Sequence, residues 1–117
     1  MTDEPNNPLE QLAFPPEIEQ DMQETLMRIG GEFWARENDQ LPSSTRSLVT
    51  MAILCAQGQQ DELAIHVRLG QEHFGVSRAD ICEVIRHCAL YAGAPASVSG
   101  FRTVARVFQE MDEEQKG

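Results

Sequence analysis

Glu62 and His66 are the residues of this sequence whose types and spacing most directly suggest chemistry. They stand four positions apart just inside a predicted helix, and side chains at that spacing share one helix face. A neighbouring carboxylate can hold an imidazole in one tautomer and make it a better proton carrier. The pair is therefore a candidate acid–base site, although a single histidine is more often a packed or surface side chain than a catalyst.

Three further residues are candidates for substrate binding. Arg46, near the start of another predicted helix, carries a planar guanidinium that can bind a carboxylate through two hydrogen bonds. Glu32 and Trp34 stand close together in the segment Gly30–Trp34. Each also has an ordinary explanation, because an arginine early in a helix is usually only solvated and a lone tryptophan is usually a core anchor.

Metal and thiol chemistry are not predicted. His87 follows Glu83 by four residues, which repeats the spacing of the first pair. Carboxylate-bundle metal sites instead use Glu-x-x-His, in which the histidine follows the glutamate by three positions, so we expect no metal. Cys55, Cys82 and Cys88 form no Cys-x-x-Cys motif, and we expect free, mostly buried thiols.

The elements that must position these residues are helices. Pro15-Pro16 provides a helix start, and apolar residues then recur every three or four positions: Ile18, Met22, Leu26, Ile29 and Phe33. A second helix is predicted from a cap at Ser43 or Ser44 to Gly58, and a third from about Gln60 to Gly75.

Ser77-Arg78-Ala79-Asp80 has the spacing of a capping box and predicts the start of a fourth helix, which ends near Tyr91. A fifth helix is predicted from about Ala96 to Met111. No segment alternates with period two, so the sequence predicts an all-α fold of about five to six helices.

Charge and length limit the possible functions. The net charge of −10, with only nine Lys and Arg among 117 residues, argues against nucleic-acid binding. No apolar run is long enough to span a membrane, and the N-terminus lacks the features of a secretion signal, so we expect a cytoplasmic protein.

The domain organisation follows from the same patterns. We predict a flexible acidic arm (1–14), one helical domain (15–112) and a disordered tail (113–117). A domain of this size would bury more apolar surface as an oligomer.

Several segments, taken in order, resemble the carboxymuconolactone decarboxylase family over roughly residues 30–108. They are Ser44-Thr45-Arg46-Ser47-Leu48-Val49-Thr50, Gly58 through Glu62-Leu63 to His66-Val67-Arg68, Gly75-Val76-Ser77, Ile85-Arg86-His87, Tyr91-Ala92-Gly93-Ala94-Pro95-Ala96 and Phe101-Arg102. The resemblance implies a helical, cofactor-free enzyme assembled as a symmetric homotrimer or homohexamer. It also implies a small lactone or keto-acid substrate, such as 4-carboxymuconolactone in aromatic-compound catabolism.

The resemblance implies roles for the candidate residues. His66 would donate the proton, oriented by Glu62, while Arg46 would bind a carboxylate or the developing oxyanion. Glu32 would complete the catalytic group. Three residues would line the substrate pocket: Trp34, His87 and Tyr91.

The thiol peroxidases of the same superfamily are a less favoured match. Their two cysteines correspond to Gln59 and Glu62 and their relay carboxylate to Ser47, so peroxidase activity is disfavoured. A tailoring enzyme for another enolisable carbonyl compound and a non-catalytic helical oligomer are both compatible with the sequence. The chain departs from the family pattern in three places: a longer joint from Glu37 to Pro42, one additional residue between Leu69 and Phe74, and Ser99 at a position that is often Asn. These changes surround the expected pocket, so the same chemistry could act on a related substrate.

Overall fold

The computed structural model describes residues 14–34 and 40–117, and within these ranges all regular structure is helical. The helices are α1 (Glu19–Trp34), α2 (Ser43–Gln57), α3 (Gln60–His73), α4 (Arg78–Tyr91) and α5 (Ala94–Lys116). The predicted all-α fold is confirmed. Almost all of the predicted acidic arm and most of the joint before Pro42 lie outside the described residues.

The chain divides into two compact units, residues 1–40 and 41–117. The regular structure described in the first unit is α1, which has two acidic residues in its first turn and no buried residue. Its exposed large apolar side chains include Met27, Ile29 and Phe33.

The second unit is a bundle in which α2 and α5 each pack against the other three helices, whereas α3 and α4 do not form a major packed pair. Gly58, at a φ of 73°, ends α2, and the turn bonds the Gln59 N–H to the Leu54 carbonyl at 2.9 Å. This turn makes α2 and α3 antiparallel. Ser97 Oγ donates to the Ile85 carbonyl at 2.9 Å and joins α5 to α4. The helices α3 and α4 therefore occupy opposite corners, with α2 between them.

The core of the second unit is built from apolar residues at helical spacing. The largest fully buried side chains include Met51, Leu63, Ile81 and Ile85, one each from α2 and α3 and two from α4. Burying side chains of this size contributes about 1.5–3 kcal/mol each. The same packing fixes the rotation of α2, α3 and α4, which carry the candidate residues of this unit.

The helix ends show where local sequence determines structure. Ser77 caps α4 as predicted, because its Oγ accepts the Asp80 backbone N–H at 3.0 Å. The predicted serine cap of α2 was wrong. Pro42 is the N-cap residue and makes no side-chain cap bond, while Ser43 already lies inside the helix.

The helix α5 is longer than the sequence indicated. We predicted a disordered tail over residues 113–117, whereas α5 continues through Lys116. Two ion pairs hold its last turns: Arg68 binds Glu114 at 2.8 Å and Arg78 binds Asp112 at 2.8 Å. Both arginines lie on other helices, so this stabilisation is tertiary. None of the described helices is long and apolar enough to cross a membrane.

Candidate active site

The helix α3 carries Glu62 in its first turn and His66 one turn later. Both residues are half-buried. The helix fixes their spacing, and its buried side, formed by Leu63, Val67 and Gly70, packs into the bundle. The acid–base pair thus lies at the edge of the buried side of a rigid helix, where water has restricted access.

Two opposing effects act on the imidazole. Burial lowers the pKa of His66 below its ordinary value of 6.5, and the charge of Glu62 opposes this change. Burial is the larger effect, so His66 is mainly uncharged at pH 7. In this state the ring can accept a proton, and an arriving anion would favour its charged form.

Arg46 lies in the first turns of the neighbouring helix α2 and is half-buried. Its Nη2 donates to the Leu41 carbonyl at 3.5 Å, and its own carbonyl accepts a hydrogen bond from Thr50 Oγ1 at 3.0 Å. The guanidinium is thus held near the N-terminal end of α2, where the helix dipole also favours an anion.

A close contact between α2 and α3 relates these two helices. A Cβ placed on Gly70 would lie 2.7 Å from Met51 Cε and 2.9 Å from Ser47 Oγ. Gly70 is therefore level with the turn between Ser47 and Met51. Because the two helices are antiparallel, His66 lies opposite a part of α2 that is about two turns after Arg46 in the sequence. At 1.5 Å per residue, this offset is roughly 10 Å along the helix axis.

His87 lies in a groove between α2 and α4, and its ring contacts that of Tyr91. Their ring centroids are 5.4 Å apart with a tilt of 49°. His87 lines an open pocket of about 330 Å³ between α2 and α4, whereas Tyr91 is 81% exposed. The complete lining is Thr45, Leu48, Val49, Ala52, Glu83, Val84, His87 and Cys88. The structure therefore does not bring His87 together with Glu62 and His66 within the second unit.

The sequence interpretation missed most of this pocket. The sequence does show that these residues share helix faces, because Leu48 and Ala52 on α2, and Val84 and Cys88 on α4, are each four positions apart. Such a pattern is shared by ordinary core positions, so it did not distinguish a pocket from the core.

Glu32 and Trp34 lie in the last turn of α1, in the first unit. Glu32 is exposed and Trp34 is half-buried. Their participation in a site with His66 stays a prediction.

The cysteines are free, as predicted, with Cys55 and Cys88 buried and Cys82 half-buried. Burial raises the pKa of the Cys55 thiol from 9.0 to about 12, and a hydrogen bond with Cys88 adds to this effect. A thiol with so high a pKa is a poor nucleophile. No group of three potential metal ligands occurs among residues 14–34 and 40–117.

The chain is similar to known proteins over most of its length. The model of the carboxymuconolactone decarboxylase family matches residues 20–106. A 4-carboxymuconolactone decarboxylase of Acinetobacter baylyi is 42% identical over 96 residues, which cover 81% of this chain and 69% of the relative. The nitrosuccinic acid decarboxylase npaB of Metarhizium robertsii is 30% identical over 81 residues, covering 69% of this chain and 54% of the relative.

Both relatives are decarboxylases, and the comparisons identify the chain as an enzyme of the carboxy-lyase type. The family match spans α1 to α4 and more than half of α5, and thus includes every candidate residue. The chain belongs to the carboxymuconolactone decarboxylase family.

Proposed function

We propose that this protein decarboxylates 4-carboxymuconolactone or a related lactone or keto acid, without a cofactor. The observation that carries the proposal is the half-buried pair of Glu62 and His66, one turn apart on α3. The 42% identity to a 4-carboxymuconolactone decarboxylase supports this choice of substrate.

The reaction requires little from the protein beyond binding and proton transfer. Loss of carbon dioxide from the lactone leaves an electron pair that moves through the ring to the lactone carbonyl. The lactone is therefore its own electron sink. The enzyme must bind the carboxylates, stabilise the developing negative charge and deliver one proton to the product anion.

His66 delivers that proton in the proposed mechanism, and Glu62 orients the ring. The lowered pKa of His66 leaves the ring mainly uncharged in the free protein. A substrate anion bound beside it raises the pKa, so that the ring takes up a proton when the substrate arrives. Proton uptake is thereby coupled to binding.

Arg46 supplies the positive charge. In this proposal a small substrate lies between Arg46 and His66, which stand about two helical turns apart along the axes of α2 and α3. A guanidinium can bind a carboxylate through two hydrogen bonds or stabilise an oxyanion.

His87 and Tyr91 require a different explanation, because His87 lines the groove between α2 and α4 and Tyr91 is exposed beside it. We propose that the protein is a homotrimer or homohexamer, and that these residues contribute to substrate binding within the assembled oligomer. The exposed apolar side chains of the second unit support an assembly: Val49, Ile53, Leu90, Tyr91, Val98 and Phe101. Surfaces rich in such side chains are typical of subunit interfaces.

A second candidate function is a tailoring decarboxylase that acts on another activated acid. The similarity to a nitrosuccinic acid decarboxylase favours it, because an acid activated by a nitro group needs no lactone ring.

The decisive experiment incubates the purified protein with 4-carboxymuconolactone and follows substrate loss together with carbon dioxide release. We expect turnover, and we expect His66→Ala to lower kcat by about 10²-fold or more. The matched control is His73→Ala, which removes an exposed histidine from the last turn of the same helix. Absence of turnover by the folded wild-type protein would refute the lactone substrate, and equal loss in both variants would refute the role of His66.

A further inference from the structure

The helix α4 carries both a pocket and a projecting aromatic ring. The pocket between α2 and α4 holds about 330 Å³ and is open to solvent, and α4 lines it with Glu83, Val84, His87 and Cys88. Tyr91 follows one turn after His87, and the two ring centroids are 5.4 Å apart. The helix therefore presents a socket in its middle turns and an aromatic ring in its last turn.

Tyr91 projects away from its own subunit. It is 81% exposed and Leu90 beside it is 69% exposed, more than any other large apolar side chain in the described part of the chain. Tyrosine is enriched at subunit interfaces, because its ring is apolar and its hydroxyl can donate a hydrogen bond. The contact with His87 restrains the ring, so less conformational freedom is lost when a partner covers it. Tyr91 thus has the properties of an interface anchor.

The pocket is suited to receive such a ring. Leu48, Val49 and Ala52 give it an apolar wall on α2. Cavities of about 150 Å³ already bind a benzene ring, so one aromatic side chain fits in this pocket. Glu83 adds a carboxylate that is 71% exposed and whose ion pair with Arg86 is long, at 3.6 Å. A carboxylate accepts several hydrogen bonds, so Glu83 can accept one from a phenol.

Tyr91 does not reach the Glu83 side of the pocket in its own subunit. Eight residues separate the two positions, which is about 12 Å along the helix axis, and His87 stands between them. A two-fold axis that crosses α4 near His87 removes this separation, because it sets two copies of α4 antiparallel with position 83 of one copy facing position 91 of the other. In such an isologous contact each subunit contributes one ring and one pocket.

The distribution of charge and apolar surface favours a second copy as the occupant. The acidic end of α5 is bonded to Arg78, at the opposite end of α4 from Tyr91 and about 20 Å from it along the axis. Two copies that meet through the last turns of α4 therefore keep these acidic ends apart, despite the net charge of −10. Val49 and Ile53, 44% and 50% exposed, continue the apolar surface along α2.

We propose that a second copy of this chain closes the pocket between α2 and α4, with Tyr91 of the partner subunit seated in it and donating a hydrogen bond to Glu83. The inference rests on the oligomer proposed above and extends it, because it names the surface, the symmetry and the residue that the partner contributes. A two-fold contact pairs subunits, so it favours a hexamer of three such pairs over a trimer.

The molar mass of the full-length protein in solution tests the pairing, measured by light scattering during size-exclusion chromatography. We expect an even number of subunits. Tyr91→Glu sets a carboxylate opposite Glu83 and should halve that number at the same protein concentration, with an unchanged helical circular dichroism spectrum. Gln109→Glu is the matched control, because it adds the same charge at an exposed position of α5 and should keep the wild-type mass. If Tyr91→Glu fails to fold, Tyr91→Ala provides the same comparison.

A double-mutant cycle identifies the contact between the two subunits. Tyr91→Phe and Glu83→Ala each remove one side of the hydrogen bond and should raise the dissociation constant of the subunit pair by about tenfold. The double variant should also show a rise of about tenfold rather than 10²-fold, because either change alone already breaks the bond. Since the two residues are about 12 Å apart along one helix, this coupling reports a contact between subunits.

These measurements need no substrate, so they are independent of the lactone function. A monomeric or trimeric wild-type protein would overturn the proposed pairing, and so would additive effects in the cycle or an equal loss of mass in Gln109→Glu. Turnover of 4-carboxymuconolactone by a trimer would refute the two-fold contact and leave the lactone function intact. A hexamer that Tyr91→Glu divides into trimers, but that does not turn over the lactone, would support the contact and refute that substrate.

Discussion

Arg68 of α3 binds Glu114 of α5 with both arms of its guanidinium, at 2.8 Å from Nη1 to Oε1 and 2.9 Å from Nη2 to Oε2. Glu72 and Glu110 lie within 3.4 and 3.8 Å of the same guanidinium. The arginine side chain is only 13% exposed. This pair holds the last turns of α5 against the helix that carries His66.

Removal of this pair should loosen the end of α5. We expect Arg68→Gln to lower the Tm by about 2–5 °C, because a bidentate pair inside a network contributes more than an isolated surface pair. Thermal unfolding followed by circular dichroism measures the change. Glu113→Gln is the matched control, since its carboxylate accepts a long hydrogen bond from Gln109 at 3.5 Å. An equal Tm for Arg68→Gln and the wild-type protein would show that the pair contributes nothing.

The pKa of His66 predicts how stability depends on pH. Burial lowers this pKa in the folded protein below 6.5, so the unfolded chain binds more protons at His66 between the two values. Stability should therefore fall as the pH decreases from 6.5 through the folded pKa, and His66 should have no effect well above pH 7. Urea unfolding at several pH values should show this slope in the wild-type protein and a smaller one in His66→Gln. An NMR titration giving a His66 pKa above 6.5 would contradict the prediction.

Cys55 should be inert towards alkylating reagents in the folded protein. Burial and the hydrogen bond with Cys88 raise its pKa to about 12, and the thiol, unlike the thiolate, barely reacts. Mass spectrometry after iodoacetamide treatment at pH 8 should find Cys55 unmodified until the protein is unfolded.

The raised pKa of Cys55 also predicts that stability falls as the pH rises above 9, because only the unfolded chain then loses this proton. The slope should disappear in Cys55→Ala.

Gly70 should tolerate no side chain without cost. An added Cβ would lie 2.7 Å from Met51 Cε and 2.9 Å from Ser47 Oγ, so α2 and α3 would have to separate or repack. We expect Gly70→Ala to destabilise the protein by about 1–2 kcal/mol and to lower kcat, even though alanine favours helix formation. Gly31→Ala is the control, because a Cβ there meets nothing within 4 Å. Urea unfolding measures both variants, and a stabilised Gly70→Ala would disprove the close contact.

The parts of the fold that depend on neighbouring residues could be predicted from the sequence. Ser77 and Asp80 form their cap within one turn, and Gly58 ends α2 because its positive φ suits a residue without a Cβ. The spacing of Glu62 and His66 likewise follows from one helix. Such features need no knowledge of how the helices pack.

The remaining features depend on packing between helices. The end of α5 is stabilised by Arg68 and Arg78, which are more than thirty residues away in the sequence. The separation of His87 from His66 follows from the positions of α3 and α4 at opposite corners of the bundle. Helical periodicity identifies a buried side but not the neighbour against which it packs. The acid–base pair could therefore be identified from the sequence, whereas the position of His87 relative to it could not.

The contact between Ser47 and Gly70 also bears on how this chemistry evolves. By the resemblance given in the sequence analysis, position 47 would correspond to the relay carboxylate of the thiol peroxidases, and here Ser47 is 1% exposed. A Ser47→Glu change would have to fit a longer, charged side chain where a single Cβ on Gly70 already collides. It would also have to arise together with two cysteines at positions 59 and 62. On this expected correspondence, Ser47→Glu alone would destabilise the bundle without supplying the two cysteines that thiol peroxidase chemistry needs.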